Sequence, residues 1–240
     1  MIISILLVII ATLVLLTVGK AINKINIRLS GNDYIDFQIK YQLVLLFSAF
    51  LLLFINGMFT KSNFWPYLAT GDVNAVAEKM ALFGIQQGDR WVQTGLSLSV
   101  VITLVTAIFM YFQLKRQQVK WNLLFSGMGW ILLFALTNAL GEELIYRVGI
   151  VVPLQGLLAP VVIYGISAVL FGIPHYWGMP SGVIGAFLAG VLGYVLAKSV
   201  HETQGIFWAW VIHFLQDVVI IGAAYLGKGN KEWKQNKVNT

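Results

Sequence analysis

Residues 123–151 read LLFSGMGWILLFALTNALGEELIYRVGIV, an apolar run that carries two carboxylates and a guanidinium. A helix needs about 20 apolar residues to cross a bilayer, and this run exceeds that length. An ionisable group at membrane depth is costly unless it is paired or faces a wet cavity, and it commonly has a function. The run therefore predicts a membrane-spanning helix with chemistry at Glu142, Glu143 and Arg147.

The composition of the whole chain extends this prediction to an integral membrane protein. Hydrophobic residues make up 58% of the 240 residues and charged residues only 11%, far from the usual soluble balance. The apolar runs lack the alternation typical of a membrane barrel. We predict an all-α, polytopic transmembrane helical bundle of about seven spans, at 1–19, 41–59, 93–114, 123–151, 159–177, 182–198 and 206–226.

The distribution of lysine and arginine predicts the orientation of the spans. No basic residue precedes the first run, so we expect a retained helix rather than a cleaved signal peptide. With the N-terminus outside, eleven of the sixteen basic residues lie on the inner side, which favours N-terminus outside and C-terminus cytoplasmic. The net charge of +6 then indicates attraction to anionic lipid, and we expect no nucleic-acid partner.

The longest hydrophilic stretch, 61–90, predicts an amphipathic surface helix. Asp72 is a possible N-cap and Gly84 a possible C-cap. Four apolar residues between them share one helical face: Val73, Val76, Met80 and Phe83. We expect a packing or lid element here, with substrate gating as the alternative.

The run 182–198 carries two rows of small residues at four-residue spacing. Gly182, Ala186 and Gly190 form one row, and Gly185, Ala189, Gly193 and Ala197 form the other. Small residues allow membrane helices to approach closely. We expect packing against a neighbouring helix of the same chain, with a dimer interface as the alternative.

The two carboxylates of the first polar motif have different predicted roles. Glu143 and Arg147 are four residues apart and can pair on one helical face. Glu142 projects about 100° away from Glu143 around the helix, so it can face another group. We expect Glu143 to be structural and Glu142 to be chemical, and the alternative is that both belong to a structural charge network.

Two further polar motifs follow in the later spans. His175 comes after Pro174, which should interrupt its helix and admit water, and Phe171 one turn earlier is expected to form a wall. His213 and Asp217 lie four apart in the last span, so they could act on one atom or one metal ion. The third histidine stands with two charged neighbours in what we expect to be a short solvated loop: His201, Lys198 and Glu202.

These residues together indicate a site that activates water. A carboxylate can serve as general base and the imidazoles can hold the water or stabilise the oxyanion. A thiol mechanism is excluded because the chain has no cysteine. A serine mechanism is weaker because Ser167 and Ser181 have no evident base, and the helical metalloprotease signature is absent. Zinc or another divalent metal remains an alternative, because Glu142, His175, His213 and Asp217 are all possible ligands.

The three motifs resemble those of the CPBP family, the type II CAAX prenyl endopeptidases and their bacteriocin-processing and self-immunity relatives. The family motifs are Glu-Glu-x-x-x-Arg, Phe-x-x-x-His, and His-x-x-x-Asn or a similar small polar residue. They match in order at Glu142–Arg147, Phe171–His175 and His213–Asp217. The resemblance implies a glutamate-dependent intramembrane protease in which Glu142 and His175 activate water and the third motif stabilises the oxyanion. It implies N-terminal helices over 1–128, a catalytic core over 129–226 and a basic cytoplasmic tail over 227–240.

Asp217 departs from the asparagine common in the family. A carboxylate repels an oxyanion, so Asp217 would have to be protonated, orient His213, or bind a metal. A second difficulty concerns depth, because a helix starting at Leu123 would carry Glu142 towards the outer surface. We therefore expect this span to start near Gly129, with 121–126 at the inner interface.

The resulting hypothesis is an intramembrane endopeptidase that cleaves a membrane-associated peptide or protein. The alternative is a non-proteolytic scaffold or a bacteriocin immunity protein that binds a toxin peptide or a partner enzyme. By analogy with the family, we expect a multi-pass protein of a bacterial plasma membrane, with a membrane protein partner possible.

Overall fold

The computed structural model is helical and describes residues 1–22, 24–25, 28–30, 32–115, 119, 121–178 and 182–238. The side chains of Lys20 and of residues 228–238 lie outside this description, as do Ser181 and two of the basic residues counted for orientation, Arg116 and Lys120. Eight α-helices follow one another in these ranges: α1 (Ile2–Ile22), α2 (Asp33–Thr60), α3 (Trp91–Leu114), α4 (Asn122–Glu143), α5 (Gly149–Leu154), α6 (Pro160–Gly172), α7 (Gly182–Thr203) and α8 (Phe207–Val238).

The helical membrane bundle predicted from composition is confirmed. Six helices of the described chain are long and apolar enough to cross a membrane, and the shorter apolar helix Pro160–Tyr176 makes the seventh. This seventh helix is interrupted because Pro174 follows α6, and residues Ile173–Tyr176 form a single 3-10 turn. The chain is therefore a multi-pass membrane protein.

The span that carries the two glutamates does not start near Gly129, so that prediction is wrong. Helix α4 begins at Asn122, and a π-helical turn at Leu144–Val148 joins it to α5 without a break. The turn between Leu154 and Pro160 gives a common reference point for the depths of Glu142 and His175. Glu142 lies about 18 Å along the helix before this turn and His175 about 23 Å after it, at 1.5 Å per residue. Glu142 and His175 therefore lie at similar distances from this turn. Helix α4 does not need a later start to bring them to a similar depth.

Helices α6 and α7 pack backbone to backbone, as the rows of small residues predict. A Cβ added at Gly172 would come within 2.7 Å of the Ala186 carbonyl oxygen. One added at Gly193 would lie 3.1 Å from the ring of Phe171. This close contact holds the end of α6, which carries Phe171 and His175, against the rest of the bundle.

The amphipathic helix predicted in 61–90 is not formed. The segment contains two short 3-10 turns, Trp65–Leu68 and Ala81–Phe83, and isolated antiparallel bridges pair Val76 with Arg90 and Met80 with Ile85. Gly84 does end a helical turn in the left-handed region, with φ 72°, but that turn has only three residues. Helical periodicity failed here because Val73, Met80 and Phe83 pack on the bundle from an irregular loop, whereas Val76 is exposed.

Polar contacts anchor this loop to the end of α7. The indole Nε1 of Trp91 donates to Glu202 Oε2 at 2.7 Å, and the backbone N–H of Glu78 donates to the same oxygen at 3.3 Å. Tyr67 Oη donates to Gln155 Oε1 at 2.6 Å, and burial raises the pKa of this phenol. The loop is thus tied to two turns at one end of the bundle.

The expected solvated loop at His201 is also wrong. Lys198, His201 and Glu202 lie on α7 itself, where Lys198 is buried and paired with Glu202. His201 Nδ1 is hydrogen-bonded to Tyr164 Oη at 2.7 Å. The sequence could not show that 61–90 folds over these residues and covers their charges.

The predicted basic tail over 227–240 continues the last helix, because α8 extends from Phe207 to Val238. Residues 239–240 lie outside the described part of the chain. Helix α8 contacts both α4 and α3, so His213 and Asp217 face the glutamates of α4. This pairing of α4 with α8 positions the candidate site.

Candidate active site

The polar motifs meet at one cavity inside the bundle. The cavity has a volume of about 590 Å³, and its wall includes Glu142, His175, His213 and Asp217. It also extends between the C-terminal half of α1, the start of α2 and the later part of α8. Three stretches that are distant in sequence therefore contribute titratable side chains to a single space at membrane depth.

Glu143 connects the Arg147 guanidinium and the His213 imidazole beside this cavity. Its Oε2 lies 3.1 Å from Arg147 Nε, and its Oε1 lies 2.7 Å from His213 Nδ1. Glu143 and Arg147 are both fully buried, and the guanidinium Cζ lies 4.0 Å from the ring centroid of Phe171. The ion pair follows the i,i+4 spacing, whereas the link to His213 was missed by sequence analysis because it joins residues 70 positions apart.

The contact with Glu143 orients the His213 imidazole. A carboxylate at Nδ1 places a proton on that nitrogen and aims Nε2 the other way, as the aspartate of a serine-protease triad does. His213 Nε2 lies 3.6 Å from Glu142 Oε2 and 3.6 Å from Asp217 Oδ2. Glu143 is thus more than a structural partner of Arg147.

Asn138 joins the two remaining carboxylates and was not identified from the sequence. Its Nδ2 donates to Glu142 Oε1 at 3.2 Å and to Asp217 Oδ2 at 3.0 Å. Asn138 lies one turn before Glu142, so the i,i+4 spacing was a signal that could have found it. The amide holds one oxygen of each carboxylate and separates their charges.

Glu142 has two inequivalent oxygens. Oε1 accepts the hydrogen bond from Asn138, whereas Oε2 is buried and has no hydrogen-bond partner among the described protein groups. A carboxylate oxygen at membrane depth without a donor is expensive, so this atom is a candidate for a reacting group.

His175 occupies a different wall. Its Nδ1 donates to the Phe171 carbonyl oxygen at 2.7 Å, which leaves Nε2 as an acceptor. Its ring lies 4.5 Å from the Phe171 ring, and Phe171 also lines the cavity. In the described part of the chain, no His175 nitrogen lies within 4.0 Å of a carboxylate oxygen, so His175 shares the cavity with Glu142 but does not contact it.

The four proposed metal ligands do not form a ligand set in this arrangement. Zinc requires donor atoms at about 2.0–2.2 Å from one point. No group of three His, Cys, Asp or Glu side chains among the described residues has the geometry to hold a metal ion. We therefore derive no step through a metal.

Ser167 is not placed as a nucleophile. Its hydroxyl is buried and donates to the backbone carbonyl of Tyr146 at 2.7 Å. The hydroxyl thus bonds the backbone of the π-helical turn after Glu143 to α6. Ser181, the other serine considered, lies outside the described residues.

Comparison with known families matches this part of the chain. Residues 122–219 match the family model described as Rce1-like, type II CAAX prenyl endopeptidase. Over these residues the chain is similar to this family. The Rce1-like segment begins at the start of α4 and ends just after Asp217, so it contains all three motifs and Asn138. It confirms the resemblance found in the sequence and indicates a protease.

Two other comparisons returned nothing: neither the curated proteins nor the solved structures include a significant match to the chain. The Rce1-like assignment therefore rests on the family model and the motifs.

Proposed function

We propose that this protein is an intramembrane endopeptidase that uses Glu142 as its general base. The observation that carries the proposal is the state of the Glu142 carboxylate, with Oε1 held by Asn138 and Oε2 buried without a donor beside His213. Glu143 Oε2 also lacks a hydrogen-bond donor, but it lies 3.1 Å from Arg147 Nε, whereas the basic nitrogen nearest to Glu142 Oε2 among the described residues is His213 Nε2 at 3.6 Å. The Rce1-like match over 122–219 supports hydrolysis of a peptide bond.

In the proposed reaction, Glu142 Oε2 takes a proton from a water molecule in the cavity. His175 Nε2, left as an acceptor by the bond from Nδ1 to Phe171, accepts a hydrogen bond from the same water. The hydroxide oxygen attacks the carbonyl carbon of the substrate, and the carbonyl π electrons move to its oxygen. General base catalysis of this kind contributes about 10²- to 10⁴-fold.

His213 stabilises the resulting oxyanion by a hydrogen bond donated from its Nε2–H. Glu143 at Nδ1 favours the imidazolium form, so that Nε2 carries a proton that it can donate. The tetrahedral intermediate then collapses, the C–N bond breaks, and the proton held by Glu142 passes to the leaving amine. The products are a new carboxyl terminus and a new amino terminus.

Asp217 acts through its neighbours in this scheme. Its Oδ2 accepts from Asn138 at 3.0 Å and lies 3.6 Å from His213 Nε2. It orients both groups and does not contact the oxyanion itself, which removes the repulsion that a direct role would create.

We place the substrate on the cytoplasmic side. The cavity extends towards the end of the bundle where α2 begins, which the charge distribution assigns to the cytoplasm with the N-terminus outside. We expect the substrate to be a membrane-associated peptide or protein in a bacterial plasma membrane.

Product formation in membranes tests the proposal. Wild type, Glu142→Gln and His175→Ala would be compared in cells and in proteoliposomes by peptidomics, on matched amounts of folded protein. We expect cleavage to fall at least about 100-fold in both variants. Glu78→Gln is the matched control, because Glu78 is exposed in the 61–90 loop. Full activity of Glu142→Gln would reject the mechanism, and no product from wild type would favour the scaffold hypothesis.

A further inference from the structure

A row of polar side chains runs along the cavity wall and ends at Glu142. Tyr34, Gln38 and Gln42 are spaced four residues apart on α2, so they share one helical face, and Asn138 joins them from α4. Gln38 Nε2 donates to Tyr34 Oη at 3.2 Å, and Gln42 Nε2 donates to Gln38 Oε1 at 3.4 Å and to Asn138 Oδ1 at 3.3 Å. All of these residues line the cavity.

The carboxamide oxygens of this row retain acceptor capacity. A carboxamide oxygen has two lone pairs. Among the described residues, Gln38 and Asn138 each accept one bond at this oxygen, both from Gln42. Gln42 accepts one bond from Thr137 Oγ1 at 3.2 Å. Three oxygens along the row can therefore each accept one more hydrogen bond from a ligand.

The ligand that needs such acceptors at membrane depth is an extended peptide backbone. A protease must hold its substrate unwound around the scissile bond, and every N–H released from a helix then requires a partner away from water. Side-chain binding pockets alone do not satisfy this requirement. A row of neutral acceptors satisfies it without the cost of a further buried charge.

The spacing of the row fits alternate residues of an extended chain. Four residues of helix rise about 6 Å. Two residues of a strand rise about 6.6 Å, and the N–H groups on one edge of a strand repeat with this period. A peptide lying along α2 would therefore present one N–H to Gln38 and another to Gln42 as it approaches Asn138.

We propose that the carboxamide row, defined as Gln38, Gln42 and Asn138, binds the backbone of an extended peptide substrate and leads its scissile bond to Glu142. The inference rests on the proposed function and adds the substrate class: an unwound segment recognised along one edge by its backbone N–H groups. Recognition by backbone makes this stretch of substrate tolerant of side-chain changes.

An ester scan tests the row. A quenched-fluorescent apolar peptide that the wild-type protein cleaves is remade with single amide N–H groups replaced by ester oxygen. In wild type we expect KM to rise roughly threefold to tenfold at alternate positions, with kcat little changed, because one neutral hydrogen bond is lost. In Gln38→Met or Gln42→Met, KM for the all-amide peptide rises by a similar factor and one ester penalty disappears.

Gln216→Met is the matched control. Gln216 lines the same cavity but lies outside the row, bonded to Thr106 Oγ1 at 3.3 Å, and its replacement should leave the ester pattern unchanged. Equal penalties at every position, no penalty at any, or a pattern that both row variants retain would overturn the proposal.

Binding separates this inference from the catalytic proposal. The same ester series is measured against Glu142→Gln by fluorescence polarisation, where no cleavage is needed. Alternating affinity there supports the row even if Glu142→Gln still cleaves and the catalytic mechanism fails. Uniform affinity in an inactive Glu142→Gln protein rejects the row and leaves the mechanism standing.

Discussion

Replacement of Glu143 by alanine is the most discriminating perturbation of this site. Glu143 is fully buried and contacts Arg147 Nε at 3.1 Å and His213 Nδ1 at 2.7 Å. Removal of one partner of a buried ion pair leaves an uncompensated charge and typically lowers the free energy of unfolding by about 3–5 kcal/mol. Arg147 has no other carboxylate within 4.0 Å in the described chain, so Glu143→Ala falls in that range.

Glu142→Ala should behave differently although its residue is adjacent. It removes one hydrogen bond from Asn138 at 3.2 Å and also removes a negative charge near Asp217. A hydrogen bond to a charged group contributes about 1.5–3 kcal/mol, and the loss of the repulsion offsets part of this cost. We expect Glu142→Ala to change the free energy of unfolding by at most about 1 kcal/mol.

Thermal melting in detergent measures this contrast. For a chain of this size, 1 kcal/mol corresponds to about 2–4 °C, so Glu143→Ala should lower Tm by about 6–20 °C and Glu142→Ala by less than about 4 °C. Arg147→Ala should resemble Glu143→Ala, and the double variant should lose less than the sum of the two. A larger loss in Glu142→Ala than in Glu143→Ala would refute the assignment of the two carboxylates.

Two further predictions concern Asp217 and the 61–90 loop. Asp217→Asn should retain most activity, because the amide oxygen still accepts the bond from Asn138. Stoichiometric zinc in active wild type, lost together with activity in Asp217→Asn, would contradict this in an elemental analysis. Gly71→Ala should lower Tm more than Gly88→Ala. Both glycines have positive φ, so both substitutions strain the backbone. A Cβ at Gly71 would in addition overlap the Thr203 carbonyl oxygen, whereas one at Gly88 meets no atom within 4 Å. Equal Tm losses would show that the loop does not dock tightly there.

The membrane-spanning helices and the contacts between residues close in sequence could be predicted from local sequence. Apolar length predicts membrane helices because the bilayer requires about 20 residues with internally satisfied backbones. The i,i+4 spacing of Glu143 and Arg147 predicts their ion pair, and the small residues near Gly190 predict the contact of α7 with α6. Each of these features depends on residues within one or two helical turns.

The errors arose where distant segments decide the environment. Three of the four periodic apolar residues in 61–90 pack on the bundle from an irregular loop, so their spacing did not indicate a helix. Lys198 and Glu202 seemed to lie in a solvated loop because only tertiary structure places Trp91 and the backbone of Glu78 over them. Helix α4 starts at Asn122 and not near Gly129, because the depth of a residue depends on helix tilt and on where a turn lies.

What the sequence by itself determined is the type of protein and the three polar motifs, since hydrophobic length and the pairing of charges one helical turn apart are local properties. Only the tertiary structure decided which atoms of those motifs meet. The bond from Glu143 to His213, the contact of Asn138 with Asp217 and the row from Gln38 to Asn138 each join different helices. Such contacts depend on the rotation and offset of packed helices, and these are determined by side chains throughout the bundle.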